Sequence, residues 1–379
     1  MNKFFASVLL LFCFCFVSTG SASTGTKSFG YLDPATASIY VPTTFLTAMG
    51  ANIKWNSTDK RLGITHGETN LVLSIGNKEA IVNNEGVALT DGAYIADGVK
   101  YVPLKFVAEK LNMKTTWNAN SASVSVTSGE QTEEIPVVKQ TQNPNRDKPI
   151  KTEKRTFKVG RNTFSAQVVT ISLLHPGIGL SIGLAQDEIG KVEDLNSIAK
   201  KNGAVVAING SFFDAYTEQA FKVPYGNVIS EGEHKHKSLS DRRTMFTFDM
   251  NKLVKLISGT EYKEDYKQIK IEGGVQAGPR LVKDGIVALN VVEEGFRDPK
   301  ILTGGGARSA LGITRDHKLI LLTLGGATIP QLAEIMKQAG AHQAMNLDGG
   351  ASSGLYADGK YLTTPGRKIS NAILISYKK

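Results

Sequence analysis

The sequence predicts an α+β protein in two folded parts: a small β-rich N-terminal domain that contains a repeat, and a larger domain built on a mixed sheet. Three observations predict this organisation. The hexapeptide YVPTTF at 40–45 returns as YVPLKF at 101–106. The segment 129–150 is polar and has no hydrophobic period, and beyond it apolar strand-like runs alternate with amphipathic helical stretches.

The first 23 residues have the pattern of a secretory signal peptide. Lys3 precedes the uninterrupted apolar core ASVLLLFCFCFV, and Gly20, Ser21 and Ala22 form a small-residue cleavage site. The alternative is an uncleaved N-terminal anchor. Because no second run of about 18 apolar residues follows, we expect no transmembrane segment after signal removal. The chain is therefore expected to be secreted or associated with the cell wall.

Cysteine usage and net charge narrow the function classes. Both cysteines, Cys13 and Cys15, lie inside the predicted signal peptide, so the mature chain must be stabilised by its hydrophobic cores without disulfides. The formal net charge of +9 favours anionic partners such as wall polyphosphates and acidic glycans. The basic residues are dispersed and no stacking-aromatic module accompanies them, so a nucleic-acid partner is not expected.

Residues 29–128 form the predicted β-rich domain. Each copy of the repeat is typical of a short strand, a helix and a hairpin that carries a tryptophan, Trp55 or Trp117. The stretch resembles the copper amine oxidase N-terminal-like stalk domain of exported bacterial proteins. His66 is its only histidine and it has no cysteine, so a copper site is not expected. A spacer or a module for cell-wall attachment is the favoured interpretation.

The polar segment 129–150 is predicted to be a linker, and the second domain is predicted over 151–379. Its strand candidates include FSAQVVTISL, AVVAI, HKLILLTL, QAMNL and NAILISY, and its clearest helix is TIPQLAEIMKQAG. Thr328 is a suitable N-cap, Pro330 lies in the first turn and Gly340 is expected to end this helix.

Two strands of this domain end in similar glycine-containing turns. NGSFFD begins at Asn209 after the run AVVAI, and NLDGGASS, which contains Asp348, follows AHQAM. An isolated Asp-Gly is a common hairpin signal. Two strands that each end in an amide or carboxylate residue followed by a glycine turn favour a ligand site instead. Glycine lets a ligand approach backbone N–H groups closely. The turn residues expected to contact substrate are Gly210, Gly349, Gly350 and Ser352.

Three arginines lie in local sequences that glycine or proline orders. GPRLVKDG contains Arg280, GGGARSALG contains Arg308, and PGRKISNA contains Arg367 just before the last strand. A guanidinium can bind a phosphate through two parallel hydrogen bonds, and glycine-rich loops add N–H donors around the same anion. Each arginine alone is typical of a solvated charge, whereas the three together predict an anion site.

Six motifs occur in the order typical of the phosphodiester glycosidase family, which residues 155–379 therefore resemble: NGSFFD, PYGNVISEG, AGPRLV, ARSALGIT, NLDGGASS and GRKISNA. The family continues the aspartate turn as three glycines, whereas this chain has Ala351 in the third position, which puts the local geometry of the turn in question. The resemblance implies hydrolysis of a sugar 1-phosphodiester at the anomeric carbon. No cofactor is expected, and a structural divalent cation stays open.

The candidate residues suit this reaction. Asp348 is expected to be the carboxylate that stabilises or attacks the positively charged sugar ring, as nucleophile or base. Asp214 is either the second carboxylate or the cap of its own turn. Asn209 and Asn371 are expected to hold sugar or phosphate oxygens. Because a phosphomonoester is a good leaving group, the site needs anion stabilisation more than a strong general acid, which is the role expected of the three arginines.

Two other function classes compete with this hypothesis. A metal-dependent phosphodiesterase would cut the P–O bond and would need clustered ligands, whereas the histidines of the second domain are dispersed. These histidines are His175, His234, His236, His317 and His342. A non-catalytic wall-binding protein would bind a sugar-phosphate or anionic glycan without turnover.

Overall fold

The computed structural model describes residues 29–265 and 270–378, so the predicted signal peptide lies outside the described residues. Within these ranges the chain is rich in strands, which form five sheets. Two sheets belong to the N-terminal domain and three to the C-terminal domain. In the same ranges no helix has both the length and the apolar character needed to cross a membrane.

The N-terminal domain is built from short strands and two short helices. Its elements are β1 (Gly30–Leu32), β2 (Ile39–Pro42), α1 (Thr43–Ala48), β3 (Asn52–Asn56), β4 (Arg61–His66), β5 (Thr69–Ser74), β6 (Glu79–Val82), β7 (Glu85–Ala88), β8 (Tyr94–Ala96), β9 (Val99–Pro103), α2 (Leu104–Lys110), β10 (Lys114–Asn118), β11 (Ser123–Ser128) and β12 (Gln131–Lys139). The larger sheet has the order β10-β11-β12-β1-β2-β9-β8, and β3 to β7 form a second sheet. Both copies of the hexapeptide thus begin a strand–helix–strand–strand unit, β2-α1-β3-β4 and β9-α2-β10-β11.

Alternation of apolar and polar residues explains the core of this domain. In β4 and β5, Leu62 lies opposite Leu73 and Ile64 lies opposite Leu71, and all four side chains are fully buried. Since side chains alternate between the faces of a strand, these pairs put one apolar face of the second sheet against the helices.

The predicted linker is shorter than the polar composition suggests. Residues Gln131–Lys139 form β12, which pairs with β11 on one side and in parallel with β1 on the other. Ile135, Val137 and Val138 are buried in this strand. The prediction of a linker over 129–150 is therefore wrong for its first half, because the apolar run IPVV supplies enough burial to hold a strand in the sheet.

The C-terminal domain contains most of the strands. Its elements are β13 (Ile150–Val159), β14 (Asn162–Ser172), β15 (Ile178–Leu184), α3 (Leu195–Lys201), β16 (Val206–Asn209), β17 (Val228–Ser230), β18 (Glu233–His236), β19 (Met245–Phe248), β20 (Val254–Ile257), α4 (Gly259–Asp265), β21 (Gly273–Gln276), β22 (Arg280–Lys283), β23 (Ile286–Val287), α5 (Pro299–Leu302), β24 (Gly306–Ile313), β25 (Lys318–Ala327), α6 (Ile329–Gln338), β26 (Gln343–Asn346), β27 (Leu355–Ala357), β28 (Lys360–Thr363) and β29 (Asn371–Tyr377). One-turn 3-10 helices occur at Ala185–Asp187 and Gly350–Ser352.

These strands form a seven-stranded sheet, β13-β14-β25-β24-β26-β22-β23, and two five-stranded sheets, β15-β29-β16-β27-β28 and β18-β17-β21-β19-β20. Among the described strands of this domain every pair is antiparallel, so the predicted mixed sheet is wrong. Helix α6 does connect two strands of the same direction, β25 and β26. However, β24 lies between them, so no parallel pair forms.

Helix α6 begins and ends where the sequence predicts. The Thr328 side chain accepts a hydrogen bond from the Gln331 N–H, and the Gln331 side chain accepts one from the Thr328 N–H. This capping box satisfies two otherwise unpaired donors. Gly340 follows the helix with φ of 98°, a left-handed conformation that favours glycine. The N-cap and C-terminal predictions are therefore confirmed.

One buried apolar cluster joins all three sheets of the C-terminal domain. It includes Ile208 from β16, Val275 from β21, Met345 from β26 and Ile373 from β29. Burial of this size fixes the sheets relative to one another. As a result, the end of β26 lies beside the end of β16 and the start of β29, although β26 belongs to a different sheet from the other two strands.

Candidate active site

The two glycine turns that end β16 and β26 are in direct contact. The Asp348 N–H donates to the Gly210 carbonyl oxygen at 3.0 Å, and the Gly210 N–H donates to the Asn371 carbonyl oxygen at 2.9 Å. These backbone bonds bring Asn209, Asp348 and Asn371 together, three residues that the sequence predicts for one site. The group of Asn209, Gly210, Asp348 and Asn371 is called the Asp348 cluster below.

Asn209 is buried and holds the aspartate turn in place. Its Nδ2 donates to the main-chain oxygen of Asp348 at 2.7 Å. Its Oδ1 accepts from the Ser309 hydroxyl at 2.7 Å and from the Gly354 N–H at 3.0 Å. Because both ends of the amide are used within the protein, Asn209 fixes the conformation in which Asp348 is presented.

Asn371 performs the same task for the other turn. Its Oδ1 accepts from the Ser211 N–H at 3.0 Å, and its Nδ2 donates to the Ser211 hydroxyl at 2.8 Å and the Ser370 hydroxyl at 3.0 Å. A β-carbon on Gly210 would lie 2.1 Å from Asn371 Oδ1. Glycine is therefore required at 210 by the close approach of the two turns.

The carboxyl group of Asp348 is the titratable centre of the cluster. Burial raises its pKa to about 7, while hydrogen bonds from the Ser352 side chain and the Gly349 N–H, and the charge of Arg367, act in the opposite direction. A carboxyl with a pKa near neutrality can exchange a proton at physiological pH or act as a nucleophile when ionised.

Ala351, the departure from three glycines, fits the turn. Its side chain is exposed, and its backbone is not among the positive-φ positions of the described chain. Its carbonyl oxygen accepts from the Gly366 N–H at 2.7 Å. The positive φ of 61° falls instead on Gly350, so a methyl group at 351 leaves the geometry of the turn intact.

Arg308 is a buried cation beside the aspartate turn. Its Nε donates to the Ala327 carbonyl oxygen at 2.9 Å, and its Nη2 donates to the carbonyl oxygens of Lys300 and Gly304, each at 2.7 Å. A β-carbon built on Gly349 would lie 3.8 Å from Arg308 Nη1, which puts the guanidinium next to this turn. Within residues 29–265 and 270–378 no carboxylate forms an ion pair with it.

Burial lowers the pKa of Arg308 from its ordinary value, but a guanidinium stays protonated at neutral pH. A buried positive charge without an acidic partner is costly unless an anion compensates it. The three carbonyl contacts orient the group without neutralising it. Arg308 is therefore well suited to bind an anionic ligand next to Asp348.

Arg367 and Tyr216 form the exposed side of the site. The Arg367 Nη2 donates to the Tyr216 hydroxyl at 2.8 Å, and the guanidinium lies 4.8 Å from the centre of the tyrosine ring. The hydrogen bond and charge of Arg367, together with the charge of Lys300, lower the pKa of Tyr216, and the charge of Asp348 opposes them. Tyr216 is 78% exposed, so an aromatic ring and two cations lie at the entrance to the Asp348 cluster.

Sequence reasoning missed Tyr216, because nothing in the polar stretch DAYTEQA distinguishes it from an ordinary loop residue. It also missed Ser309, which follows Arg308 and bonds Asn209, and it gave no role to Asn346 at the end of β26, whose Nδ2 donates to the Gly278 carbonyl oxygen at 2.9 Å. Both side chains lie inside motifs that point to the site, ARSALG and NLDGG, and alternation along the strand is the signal that could have found them.

Two predicted site residues are not brought to the Asp348 cluster. Arg280 donates from Nη1 to the Gln343 side chain at 2.8 Å and from Nη2 to the Leu256 carbonyl oxygen, and it lines a cavity between the domains. The Asp214 side chain accepts from the Thr217 N–H at 3.2 Å and so caps its own turn. This is the second of the two roles that the sequence leaves open for it.

The histidines stay dispersed in the structure. The imidazole of His317 is buried against the carbonyl oxygens of Ala122 and Val137, and His236 lies 2.8 Å from the Gly226 carbonyl oxygen. In the described part of the chain no three histidine, cysteine or acidic side chains form a group that could hold a metal ion. These histidine contacts are structural.

Comparison with known protein families gives two matches. Residues 202–376 match the model of the family described as phosphodiester glycosidase, and residues 34–126 match that of the copper amine oxidase N-terminal domain. A mouse protein named N-acetylglucosamine-1-phosphodiester alpha-N-acetylglucosaminidase is 28% identical over 215 residues, which cover 52% of this chain and 39% of the mouse protein. The chain thus spans less than half the length of that curated relative.

Two solved structures have a similar fold. A hypothetical protein from Synechocystis has a TM-score of 0.52 and 16% identity, over 92% of this chain and 96% of that one. The catalytic domain of zebrafish N-acetylglucosamine-1-phosphodiester alpha-N-acetylglucosaminidase, auto-inhibited by its pro-peptide, has a TM-score of 0.51 and 20% identity, over 62% of this chain and 85% of that one. At these identities the likeness concerns the fold alone.

Proposed function

Because residues 202–376 match the model of the phosphodiester glycosidase family and residues 34–126 that of the copper amine oxidase N-terminal domain, we propose that this chain hydrolyses glycosyl 1-phosphodiesters. The bond cleaved is the one between the anomeric carbon and the phosphate oxygen. The observation that carries the proposal is the position of Asp348, whose turn is held by backbone and amide hydrogen bonds beside the Arg308 guanidinium, which has no ion pair among the described residues.

In the proposed reaction the two sides of the site have different tasks. The ionised Asp348 stabilises the positive charge that develops on the sugar ring, or attacks the anomeric carbon. Arg308 and Arg367 bind the phosphate, which leaves with the electron pair of the broken C–O bond. Water supplies the new hydroxyl of the sugar, and its proton passes to Asp348 or to solvent. The products are a free sugar and a phosphomonoester.

We propose that no cofactor takes part. A phosphate dianion is a good leaving group, and two guanidinium groups next to the carboxyl supply the positive charge that a metal would supply in a phosphodiesterase. The substrate class follows the names of the mouse and zebrafish relatives, which support N-acetylglucosamine joined to phosphate as the first sugar to test.

We also propose that the chain is exported and acts on cell-wall or surface polysaccharides. The support is the signal-peptide pattern of the first 23 residues and the net charge of +9, which attracts anionic polymers. In this proposal the N-terminal domain keeps the hydrolase close to the polymer.

The test is hydrolysis of UDP-N-acetylglucosamine by the purified chain, with and without EDTA. Cleavage at carbon releases free sugar and UDP, whereas cleavage at phosphorus releases sugar 1-phosphate and UMP. We expect free sugar in the presence of EDTA, and a loss of at least about a hundredfold in kcat for Asp348→Asn. The matched control is Asp358→Asn, an exposed aspartate in the turn between β27 and β28, which should keep full activity.

Sugar 1-phosphate that disappears on chelation would overturn the proposal in favour of a metal-dependent phosphodiesterase. If Asp348→Asn stays as active as Asp358→Asn, the cluster does not carry the chemistry. Binding without turnover would make the chain a glycan-binding protein.

A further inference from the structure

A cavity of about 610 Å³ lies where the N-terminal domain meets the C-terminal domain. The N-terminal side contributes Trp117, Asn118, Ala119, Asn120 and Ser121, and the C-terminal side contributes β20, Glu261, Arg280, Lys283 and Gln343. No residue of the Asp348 cluster lines it within the described chain. The cavity is therefore separate from the candidate active site.

Two strand edges face each other across this cavity. β10 is the edge strand of the larger N-terminal sheet, and β20 is the edge strand of its own sheet, as far as the described residues go. Both contribute residues to the cavity wall. An edge strand presents N–H and C=O groups that have no partner in the sheet, so an extended polar ligand finds donors and acceptors on both sides.

The two tryptophans of the repeat have different surroundings. Trp55 and Trp117 are each the fourth residue of their strand, β3 or β10. Trp55 packs against the domain core, and the Lys100 ammonium lies 4.9 Å from its ring centre. Trp117 is 46% exposed and lines the cavity. An exposed indole beside amide side chains is a surface on which the apolar face of a sugar ring can stack.

The opposite wall carries more positive than negative charge. Lys255, Arg280 and Lys283 line the cavity together with one acid, Glu261. Lys255 is paired with Glu134, whereas Arg280 and Lys283 form no ion pair within the described residues.

The polar groups of this wall are also held in fixed positions. The Leu256 carbonyl and the Gln343 side chain orient the Arg280 guanidinium, and Gln343 Nε2 reaches the Asn120 carbonyl oxygen at 3.3 Å. A smaller cavity of about 220 Å³ shares Glu261, Arg280 and Lys283, so the space continues beyond these residues.

We propose that this cavity is a second carbohydrate site that binds a segment of an anionic glycan whose sugars are joined through phosphodiesters. A sugar ring would stack on Trp117, and a phosphate would bind Arg280 and Lys283. The site holds the polymer through groups from both domains. It is independent of the proposed hydrolysis, since no group of the Asp348 cluster takes part.

Ligand binding at this cavity can be measured by tryptophan fluorescence, because the chain has only two tryptophans. In the full chain, Trp55→Phe leaves Trp117 as the one indole, and Asp348→Asn in the same chain prevents turnover during a titration. The probes are an oligomer of N-acetylglucosamine 1-phosphate, a neutral N-acetylglucosamine hexamer and inorganic polyphosphate. We expect the sugar-phosphate oligomer to change Trp117 fluorescence with an affinity at least about tenfold higher than either other probe.

Calorimetry on chains that keep both tryptophans supplies the second measurement. Trp117→Ala and Lys283→Ala should each weaken binding of the oligomer by about tenfold, and Lys360→Ala, an exposed lysine of β28, should not. UDP-N-acetylglucosamine turnover should be unchanged in Trp117→Ala and Lys283→Ala, which separates this site from the proposed active site.

Unchanged oligomer affinity in both variants would overturn the proposal, as would equal affinity for the neutral hexamer or for polyphosphate. Absence of a fluorescence change at millimolar oligomer would overturn it too. Intact oligomer binding in Asp348→Asn would support the proposal whatever the outcome of the hydrolysis assay.

Discussion

Arg308 and Arg280 lie in similar local sequences but in different parts of the structure. Each comes two residues after a glycine and lies near the start of a strand in the seven-stranded sheet, Arg308 in β24 and Arg280 in β22. Arg308 is next to the aspartate turn, whereas Arg280 lines the cavity between the domains. Two arginines that look equivalent in the sequence therefore serve two sites.

The register of the sheet explains this difference. Arg280 lies opposite Met345, which in turn lies opposite Leu311, so these three side chains share one face. Arg308 is three residues from Leu311 along β24, and successive side chains alternate between faces, so it points to the other face. Strand register therefore puts the two arginine side chains on different faces of the sheet, a difference that the local motif does not show.

Replacement of Arg308 gives the largest effect expected from this comparison. Arg308→Gln removes the buried cation beside Asp348, so kcat/KM for UDP-N-acetylglucosamine should fall by at least about a hundredfold. Arg308→Lys keeps the charge but loses the planar fork that three carbonyl oxygens hold, and should recover only part of the loss. Steady-state kinetics with a thermal unfolding control measures both. Full activity in Arg308→Gln would remove the distinction between the two arginines.

The sequence predicted one part of this arrangement well. The strand exits at Asn209 and Asp348 were recognisable because amides, carboxylates and glycines follow apolar runs, and the two turns are in contact. The end of helix α6 at Gly340 was likewise readable from local chemistry.

Other features depend on contacts between distant segments. The antiparallel sheets, the strand at Gln131–Lys139 and the face on which Arg280 lies follow from which strands become neighbours. No local pattern encodes that choice, because the same crossover helix can connect adjacent strands or strands with a third one between them.

The pH dependence of Asp348 is the second largest effect. Its role requires the ionised carboxylate, and burial raises its pKa to about 7, so kcat should fall by about tenfold for each pH unit below that value.

The titration of Asp348 affects folding stability in the opposite direction from its effect on kcat. The folded state binds the proton more tightly than the unfolded chain, so this group lowers stability as pH rises from about 4 to about 7. Asp348→Asn should abolish this part of the pH dependence in denaturant titrations, and an unchanged profile would contradict the assignment.

A smaller effect is expected at the entrance to the Asp348 cluster. Tyr216→Phe removes the hydroxyl that accepts from Arg367 but keeps the ring beneath the guanidinium. Because this pair is exposed, the loss in kcat/KM should be only about twofold to fivefold, mostly in KM. Phe221, exposed in the same loop region, offers the matched control Phe221→Leu, which should have no effect on KM. Equal kinetics of Tyr216→Phe and the native chain would leave Arg367 without a positioning partner.

The smallest effect on turnover is expected for replacement of Arg280, and it tests whether Arg280 and Arg308 serve separate sites. If the two arginines serve separate sites, Arg280→Gln should change kcat/KM for UDP-N-acetylglucosamine at least about tenfold less than Arg308→Gln does, since a ligand this small reaches only the Asp348 cluster. The same substitution should weaken binding of the sugar-phosphate oligomer, because Arg280 lines the cavity that holds it. Kinetics and calorimetry on one pair of variants measure both quantities. An equal loss of turnover in the two variants would mean that Arg280 reaches the phosphate at Asp348, and that one anion site spans both faces of the sheet.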